Sequence, residues 1–134
     1  MIPYVQAHFR TYTDRDHRAI AGLSMGGAES LQIGLNHLDQ FSFVGGFSAA
    51  VTPAEFAKNF ATVAADPKAA NRELHLLWIG CGTEDGLFGA SNSFSKFLDD
   101  AGVKHTFYKI PGAHTWLVWR QFLNEFAPQL FRAN

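Results

Sequence analysis

The stretch GLSMGG, residues 22–27, places one serine, Ser24, between glycines directly after an apolar run. Residues 18–23 are apolar enough to predict a buried strand, and residues 25–37 carry apolar side chains near helical spacing. The stretch therefore predicts a strand, a sharp turn at the serine and a helix that begins there. Such strand and helix pairs are the units from which parallel α/β sheets are built.

The same stretch has a chemical meaning. In the arrangement strand, Gly-x-Ser-x-Gly, helix, the serine occupies a strained turn, and we expect side chains at Gly22 and Gly26 to collide with neighbouring backbone. Ser24 is then raised at the carboxyl edge of the sheet, where the helix start offers the Met25 N–H and a positive dipole end to an oxyanion. Taken alone, the pentapeptide also fits an ordinary glycine-rich turn.

Strand-like and helix-like segments alternate along the rest of the chain. Further strands are predicted at residues 43–47, 74–81 and 104–110, and the second is apolar on both faces, as central parallel strands are. Helices are predicted at residues 2–10, from a cap at Thr52 and Pro53 to about Ala64, at 92–101 closed by Gly102, and at 115–131. This alternation predicts an α/β domain with a parallel sheet of about four strands and helices on both faces.

The composition indicates a folded domain and excludes several classes of partner. Of the 134 residues, 47% are hydrophobic and 17% charged, so the chain can bury a core. The 11 basic and 12 acidic residues are scattered and give a net charge of -1, so we expect neither nucleic acid nor a membrane surface as partner. The single cysteine, Cys81, is expected to be a small buried strand residue, and no Cys/His clusters have the spacing of a zinc site.

The sequence contains no segment that directs it to a membrane. No apolar run approaches the roughly 18 residues of a membrane span, and the N-terminus lacks the basic and apolar regions of a signal peptide. We therefore expect a soluble protein, either cytoplasmic or secreted with its signal removed.

Two later loops carry residues that could activate the serine. A serine hydroxyl is a poor nucleophile by itself, and in folds with such a turn an acid and then a histidine follow on loops that leave later strands. Asp85 follows the strand at 74–81, and His114 follows the last strand. Glu84 stays open as the acid, because it is adjacent to Asp85. The other candidates lie elsewhere on helices, loops or strand bodies and are expected to be structural or exposed: Asp99, Asp100, His8, His17, His37, His75 and His105.

Three motifs in this order resemble one family. GLSMGG, CGTEDGL at residues 81–87 and PGAHTWLVWRQFLNEFAPQLF at residues 111–131 look like the carboxyl-terminal part of the esterase D and feruloyl esterase family, which is grouped with acetyl xylan esterases and related to mycolyl transferases. The resemblance implies an α/β-hydrolase that cleaves carboxylic esters through an acyl-enzyme. It implies Ser24 as nucleophile, His114 as general base and then acid, and Asp85 as the group that holds the imidazole. No metal or organic cofactor is implied.

The resemblance also implies a truncated α/β-hydrolase domain over residues 1–134, from the nucleophile elbow to the last helix. Members of the family carry about as much chain again before the elbow, which forms the first strands and supplies the second oxyanion donor. The nucleophile strand would then lack its usual neighbour and expose unpaired N–H and C=O groups beside apolar surface. We therefore expect a homodimer or a higher homo-oligomer that covers this N-terminal side.

Two functional classes stay open. The first is a serine esterase for small-molecule substrates, namely short-chain acyl, aryl or feruloyl-type esters. The second is a non-catalytic or weakly active fragment that serves as a ligand-binding or oligomerisation module. Phe88, Trp116 and Trp119 lie near the catalytic loops and could stack on an aromatic acyl group, although 13 phenylalanines in 134 residues indicate that most aromatic side chains belong to the core.

Overall fold

The computed structural model describes residues 1–132 and contains a four-stranded parallel sheet with the strand order β1-β2-β3-β4. The strands are β1 (Ala19–Leu23), β2 (Phe43–Phe47), β3 (Leu76–Gly82) and β4 (Thr106–Ile110). The register pairs the last residue of β1, Leu23, with Phe47, and pairs Phe47 in turn with Gly80. Because all four strands run in the same direction, the loops that follow them meet at one edge of the sheet.

Helices connect and cover these strands. They are α1 (Ile2–His8), α2 (Ser24–Asn36), α3 (Phe56–Asn59), α4 (Ala61–Ala65), α5 (Pro67–Glu73), α6 (Phe88–Ala101) and α7 (Trp116–Phe126). α2 links β1 to β2, α3 to α5 lie between β2 and β3, α6 links β3 to β4, and α7 follows β4. Among residues 1–132, no helix combines the length and the apolar character that crossing a bilayer requires.

The core has two layers, one on each face of the sheet. Along β3, Leu77 and Ile79 belong to the first layer and Trp78, between them, to the second, as the alternation of side chains in a strand requires. The first layer is completed by residues of α2 to α6, among them Leu31, Leu35, Val63, Phe94 and Leu98. The second layer is completed by residues of β2 and α7: Phe47, Val118, Phe122 and Phe126. The predicted parallel sheet with helices on both faces is confirmed, while the extent of the domain over residues 1–134 stays a prediction, since Ala133 and Asn134 lie outside the described residues.

The predicted helix from Thr52 to about Ala64 is wrong as a continuous element. A 3-10 turn, Pro53–Glu55, leads into α3, and the chain breaks at Phe60 (φ -123°, ψ 23°) before α4 begins. At this break the Phe60 ring packs into the core, with its centroid 4.6 Å from the ring centroid of Phe94. The expected side-chain cap is also absent, because Thr52 makes no cap hydrogen bond. Tertiary packing therefore overrides the local helical pattern here.

Other element boundaries differ from the prediction for identifiable reasons. α5 has no counterpart in the prediction, although Asp66 caps it by accepting a hydrogen bond from the Ala69 N–H at 2.9 Å. α6 begins four residues earlier than predicted, whereas its predicted left-handed cap is confirmed at Gly102, with φ 79°. α7 ends at Phe126 and gives way to a 3-10 turn that contains Pro128, whose missing N–H cannot continue an α-helix.

Candidate active site

Ser24 stands at the turn between β1 and α2 with a left-handed backbone, φ 54°. This conformation costs energy for a residue with a side chain and is concentrated at functional sites. A Cβ on Gly22 would overlap the main chain of Gly26 and lie 2.9 Å from the Ser30 Oγ, so the helix can approach the strand only over a glycine. The predicted steric need for glycine is therefore correct at Gly22.

The same expectation is wrong at Gly26. A Cβ added there would meet no atom within 4 Å. The second constrained position is Gly27, where a Cβ would lie 3.0 Å from the Gly22 carbonyl oxygen and 3.2 Å from the Cα of Ala49. The segment after β2, which carries Ala49, thus packs directly against the elbow and explains the second glycine of the pair.

The loop after β3 and the loop after β4 are joined by main-chain hydrogen bonds. The Thr83 N–H donates to the Ile110 carbonyl at 2.9 Å, and the Glu84 N–H donates to the Gly112 carbonyl at 3.0 Å. Gly112 has φ 128°, a backbone conformation that residues with side chains rarely adopt. The two loops therefore have a fixed relative position, and each carries one of the polar side chains predicted for the site.

Asp85, His114 and Ser24 form a continuous hydrogen-bonded chain at this edge of the sheet. The His114 Nδ1 lies 2.8 Å from the Asp85 Oδ2, and the His114 Nε2 lies 2.9 Å from the Ser24 Oγ. The Asp85 side chain is 1% exposed and the His114 side chain 36% exposed. Because an ionised carboxylate can only accept, Nδ1–H donates to Asp85, and Nε2 is free to accept the proton of the Ser24 hydroxyl.

The surroundings of Asp85 favour its ionised form. Burial acts to raise the pKa of Asp85, but hydrogen bonds from the Leu87 N–H, the Ser48 hydroxyl and His114 outweigh burial and hold this pKa below its ordinary value. The Leu87 N–H lies 2.8 Å from the Asp85 Oδ1. A carboxylate that stays charged while buried keeps the imidazole oriented and stabilises its protonated form.

The other acid candidates do not reach this chain of hydrogen bonds. Glu84 is exposed and contributes its main-chain N–H to the loop pairing, whereas Asp85, beside it, bonds the imidazole. Asp100 pairs with Lys96 on the surface of α6.

Four of the remaining histidines bond partners outside the site: His8, His17, His75 and His105. His37 lies just past the end of α2 and is exposed.

Met25 is the second residue of α2, so its N–H belongs to the first helical turn, whose donors have no intrahelical acceptor. Its side chain is 70% exposed beside Ser24. The oxyanion contact expected of this N–H stays a prediction.

The three aromatic candidates occupy different environments. The Trp119 ring packs edge to face against His114, with ring centroids 4.7 Å apart. Trp116 is 62% exposed, and its ring centroid lies 6.5 Å from that of Trp119. Phe88 stacks on Phe107 of β4, so its ring belongs to the packing between α6 and the sheet. Trp116 is thus the candidate with the most ring surface open to a ligand.

Ser48, directly after β2, was not singled out from the sequence. It is fully buried, it has a left-handed backbone (φ 45°), and its Oγ accepts a hydrogen bond from the Trp119 Nε1 at 3.1 Å. The available signal was its place just past an apolar strand, at the same sheet edge as Ser24. Cys81, 4.0 Å from the Ser48 Oγ, is buried as expected, and burial raises the pKa of its thiol.

Within the described part of the chain, no group of three or more His, Cys, Asp or Glu side chains is arranged to hold a metal ion. The polar chain from Asp85 to Ser24 instead has the composition of a nucleophile, a base and an orienting acid.

Comparison with known proteins agrees with this geometry. Residues 1–130 match the Esterase family, whose description is "Putative esterase". The chain is 34% identical over 133 residues to an endo-1,4-beta-xylanase/feruloyl esterase of Xylanibacter ruminicola, covering 98% of this chain and 17% of that protein.

Solved structures show the same likeness. A ferulic acid esterase is 28% identical with a TM-score of 0.79, covering 98% of this chain and 58% of that one. The S-formylglutathione hydrolase of Staphylococcus aureus is 25% identical with a TM-score of 0.80, covering 97% and 57%. The chain thus spans less than two thirds of the length of these proteins. Since the family match extends from the first residue to beyond α7, the chain belongs to this esterase family and has the architecture of the matching part of an α/β-hydrolase.

Proposed function

We propose that the chain is a serine carboxylic-ester hydrolase that acts through an acyl-enzyme. The observation that supports this most directly is the chain of hydrogen bonds from the buried Asp85 through His114 to Ser24, whose left-handed backbone raises its hydroxyl at the sheet edge. This arrangement provides an activated nucleophile together with a base that is itself oriented by an acid.

In the acylation step, the Ser24 Oγ attacks the carbonyl carbon of the ester while its proton passes to the His114 Nε2. The Met25 N–H and the positive end of the α2 dipole stabilise the oxyanion that forms. When the tetrahedral intermediate collapses, the bond to the alcohol oxygen breaks and His114 returns the proton to that oxygen. The products of this step are the free alcohol and an acyl group on Ser24.

In the deacylation step, a water molecule replaces the alcohol. His114 takes a proton from the water as its oxygen attacks the acyl carbon, and it then protonates the Ser24 Oγ as that bond breaks. The acid product leaves and the serine is regenerated. Asp85 stays ionised throughout, and it stabilises the imidazolium that forms in each half of the reaction.

The substrates we propose are short-chain acyl, aryl or feruloyl-type esters. The exposed side chains of Met25, Trp116 and Leu117 lie on the chain segments that carry the nucleophile and the base, and they are 70%, 62% and 61% exposed. An open aromatic ring of this kind can stack on an aromatic acyl group. The similarity to a feruloyl esterase and a ferulic acid esterase supports the aromatic part of this proposal.

The test is pre-steady-state hydrolysis of p-nitrophenyl acetate. We expect a burst of p-nitrophenol equal to the concentration of active protein, and turnover at the background rate in Ser24→Ala. Ser93→Ala, which removes a hydroxyl from an exposed position on α6, is the matched control and should retain the burst. Folded wild-type protein without turnover would overturn the proposal in favour of a non-catalytic ligand-binding or oligomerisation module.

We also propose that the chain forms a homodimer or higher homo-oligomer through its N-terminal side. β1 pairs with β2 on one side, and no strand in residues 1–132 pairs with its other side. α1 contributes no buried residue, and four large apolar side chains nearby in sequence are more than 60% exposed: Met1, Tyr4, Phe9 and Tyr12. A second copy is the proposed occupant, because each Å² of apolar surface removed from water contributes about 25 cal/mol and the net charge of -1 opposes self-association only weakly.

Sedimentation equilibrium over a hundredfold dilution tests the assembly independently of catalysis. We expect the mass to fall towards that of the monomer on dilution, and Tyr4→Glu to shift this transition to higher protein concentration. A folded protein with the mass of a monomer at every concentration of the series would contradict the proposed homo-oligomer.

A further inference from the structure

Ser48 occupies the centre of the edge at which the proposed catalytic residues meet. It follows β2, which lies between the strand that leads to Ser24 and the strand that leads to Asp85. Its relative exposure is 0%, and its φ of 45° is one of three left-handed values at non-glycine residues between residues 1 and 132. A buried serine in an unfavourable backbone conformation requires a structural reason.

The backbone of Ser48 connects two strands to the elbow. Its N–H donates to the Gly80 carbonyl of β3 at 2.7 Å, which continues the pairing beyond the end of β2. Two residues later, the Ala50 N–H donates to the carbonyl of Ser24 at 3.0 Å. The left-handed turn at Ser48 therefore directs the chain back onto the main chain of the proposed nucleophile.

The side chain of Ser48 bonds the residue that packs on the proposed base. An indole N–H can only donate, so the Ser48 Oγ accepts from the Trp119 Nε1, at 3.1 Å. The Ser48 hydroxyl is also one of the groups that hold the pKa of Asp85 below its ordinary value. The Trp119 ring in turn lies against His114, with centroids 4.7 Å apart at 88°. One hydroxyl thus bonds the aromatic side chain that packs on His114.

We propose that Ser48 is a positioning residue, whose hydroxyl holds the Trp119 ring against His114 and thereby keeps the imidazole in line between Asp85 and Ser24. The expected effect on catalysis rests on the proposed function. The expected effect on the hydrogen bond between Asp85 and His114 does not depend on it. Ser48 acts through these residues and does not itself contact the reacting atoms.

The experiment uses two variants of Ser48 and a control at the other end of β2. Ser48→Ala removes the hydroxyl, and Ser48→Gly removes it while also suiting the left-handed backbone, so the second variant keeps the test valid if the first fails to fold. The control is Ser42→Ala. Ser42 is equally buried and donates its hydroxyl to the Arg15 carbonyl at 2.7 Å, but it lies at the opposite end of β2.

Two measurements are made on each protein. The first is kcat and KM for p-nitrophenyl acetate. The second is the downfield proton resonance expected of the hydrogen bond between the His114 Nδ1 and Asp85, assigned by its loss in Asp85→Asn. For both Ser48 variants we expect a loss of about 2- to 10-fold in kcat with little change in KM, the range expected when a neutral hydrogen bond is removed. We also expect this resonance to shift or broaden, whereas Ser42→Ala should match wild type in both measurements.

The two measurements distinguish failure of the inference from failure of the proposed function. Wild-type kcat and an unchanged resonance in Ser48→Gly would overturn the positioning role. If wild-type protein shows no turnover, the proposed function fails and the resonance alone decides: an unchanged resonance in the Ser48 variants, or none in wild type, refutes the inference. Equal losses in Ser42→Ala would show that a buried serine at either end of β2 has the same effect, and would refute it as well.

Discussion

The two glycines that flank Ser24 should respond in opposite ways to the same substitution. A Cβ on Gly22 would lie 2.5 Å from the carbonyl carbon of Gly26 and 2.9 Å from the Ser30 Oγ. Main-chain atoms cannot rotate away, so Gly22→Ala requires the first turn of α2 to move off β1. A Cβ on Gly26 would meet no atom within 4 Å, so Gly26→Ala adds only a side chain that favours the helix.

The magnitudes follow from this difference in space. Overpacking of a well-filled site costs about 1–3 kcal/mol, and we place Gly22→Ala at the upper end because the obstacle is backbone. Replacing glycine by alanine inside a helix stabilises by roughly 0.5–1 kcal/mol. The two variants should therefore differ by about 3–4 kcal/mol in free energy of unfolding, a large share of the roughly 5–15 kcal/mol typical of a whole domain.

Urea unfolding monitored by far-ultraviolet circular dichroism measures this difference. We expect the midpoint of Gly22→Ala to fall and that of Gly26→Ala to equal or exceed wild type, with unchanged slopes. Esterase activity should be lost in Gly22→Ala, since the movement of α2 displaces Ser24 from His114. Equal midpoints for the two variants, or a greater loss in Gly26→Ala, would refute the steric account of the elbow.

Three further outcomes are expected. Asp85→Asn should lower kcat by about 10³- to 10⁴-fold because the imidazole loses the acceptor that selects its tautomer, while kcat of Glu84→Gln should stay within about twofold of wild type. The reverse ranking in p-nitrophenyl acetate assays would assign the acid to Glu84. Trp116→Ala should raise KM for methyl ferulate by about tenfold, which corresponds to the free energy of one aromatic contact, and should leave KM for p-nitrophenyl acetate nearly unchanged. Parallel changes for both esters would argue against stacking on the acyl group. The pKa of Asp85 is lower in the folded than in the unfolded chain, so its contribution to stability is present above about pH 4 and is lost as the pH falls through its folded value. Urea titrations between pH 5 and 3 should therefore show a shallower decline in the free energy of unfolding for Asp85→Asn than for wild type.

The predicted helix that began at Thr52 shows why some elements could not be read locally. Its cap residues and apolar spacing favour one helix, yet the structure divides it at Phe60 so that this ring packs against Phe94 of α6. The gain from burying an aromatic ring in a preformed core exceeds the cost of a broken helical turn. That preference depends on a residue far along the chain and leaves no trace in the segment itself.

The site shows the same division between local and distant causes. The strand, Gly-x-Ser-x-Gly, helix pattern and the order of Ser24, Asp85 and His114 were sufficient to predict which side chains lie together, since parallel strands end at one edge. The choice of Asp85 over Glu84 was open in the sequence, because the sequence does not show in which direction the side chains of two adjacent loop residues point. It depends on the main-chain bond from the Glu84 N–H to Gly112, which leaves the next carboxylate directed at the imidazole.

By itself, the sequence determined the parallel α/β sheet, the turn at Ser24 and the close approach over Gly22, because these follow from periodicity and from sterics between near neighbours in the chain. Only the tertiary structure decided that Gly27, and not Gly26, is constrained at the elbow, and that Ser48 bonds the Trp119 side chain beside His114. Ser48 and Trp119 are 71 residues apart, and Gly27 is constrained by Ala49 of the next crossover. Such contacts form only when separate strands are brought side by side, so their requirements on residue type cannot be deduced from any single segment.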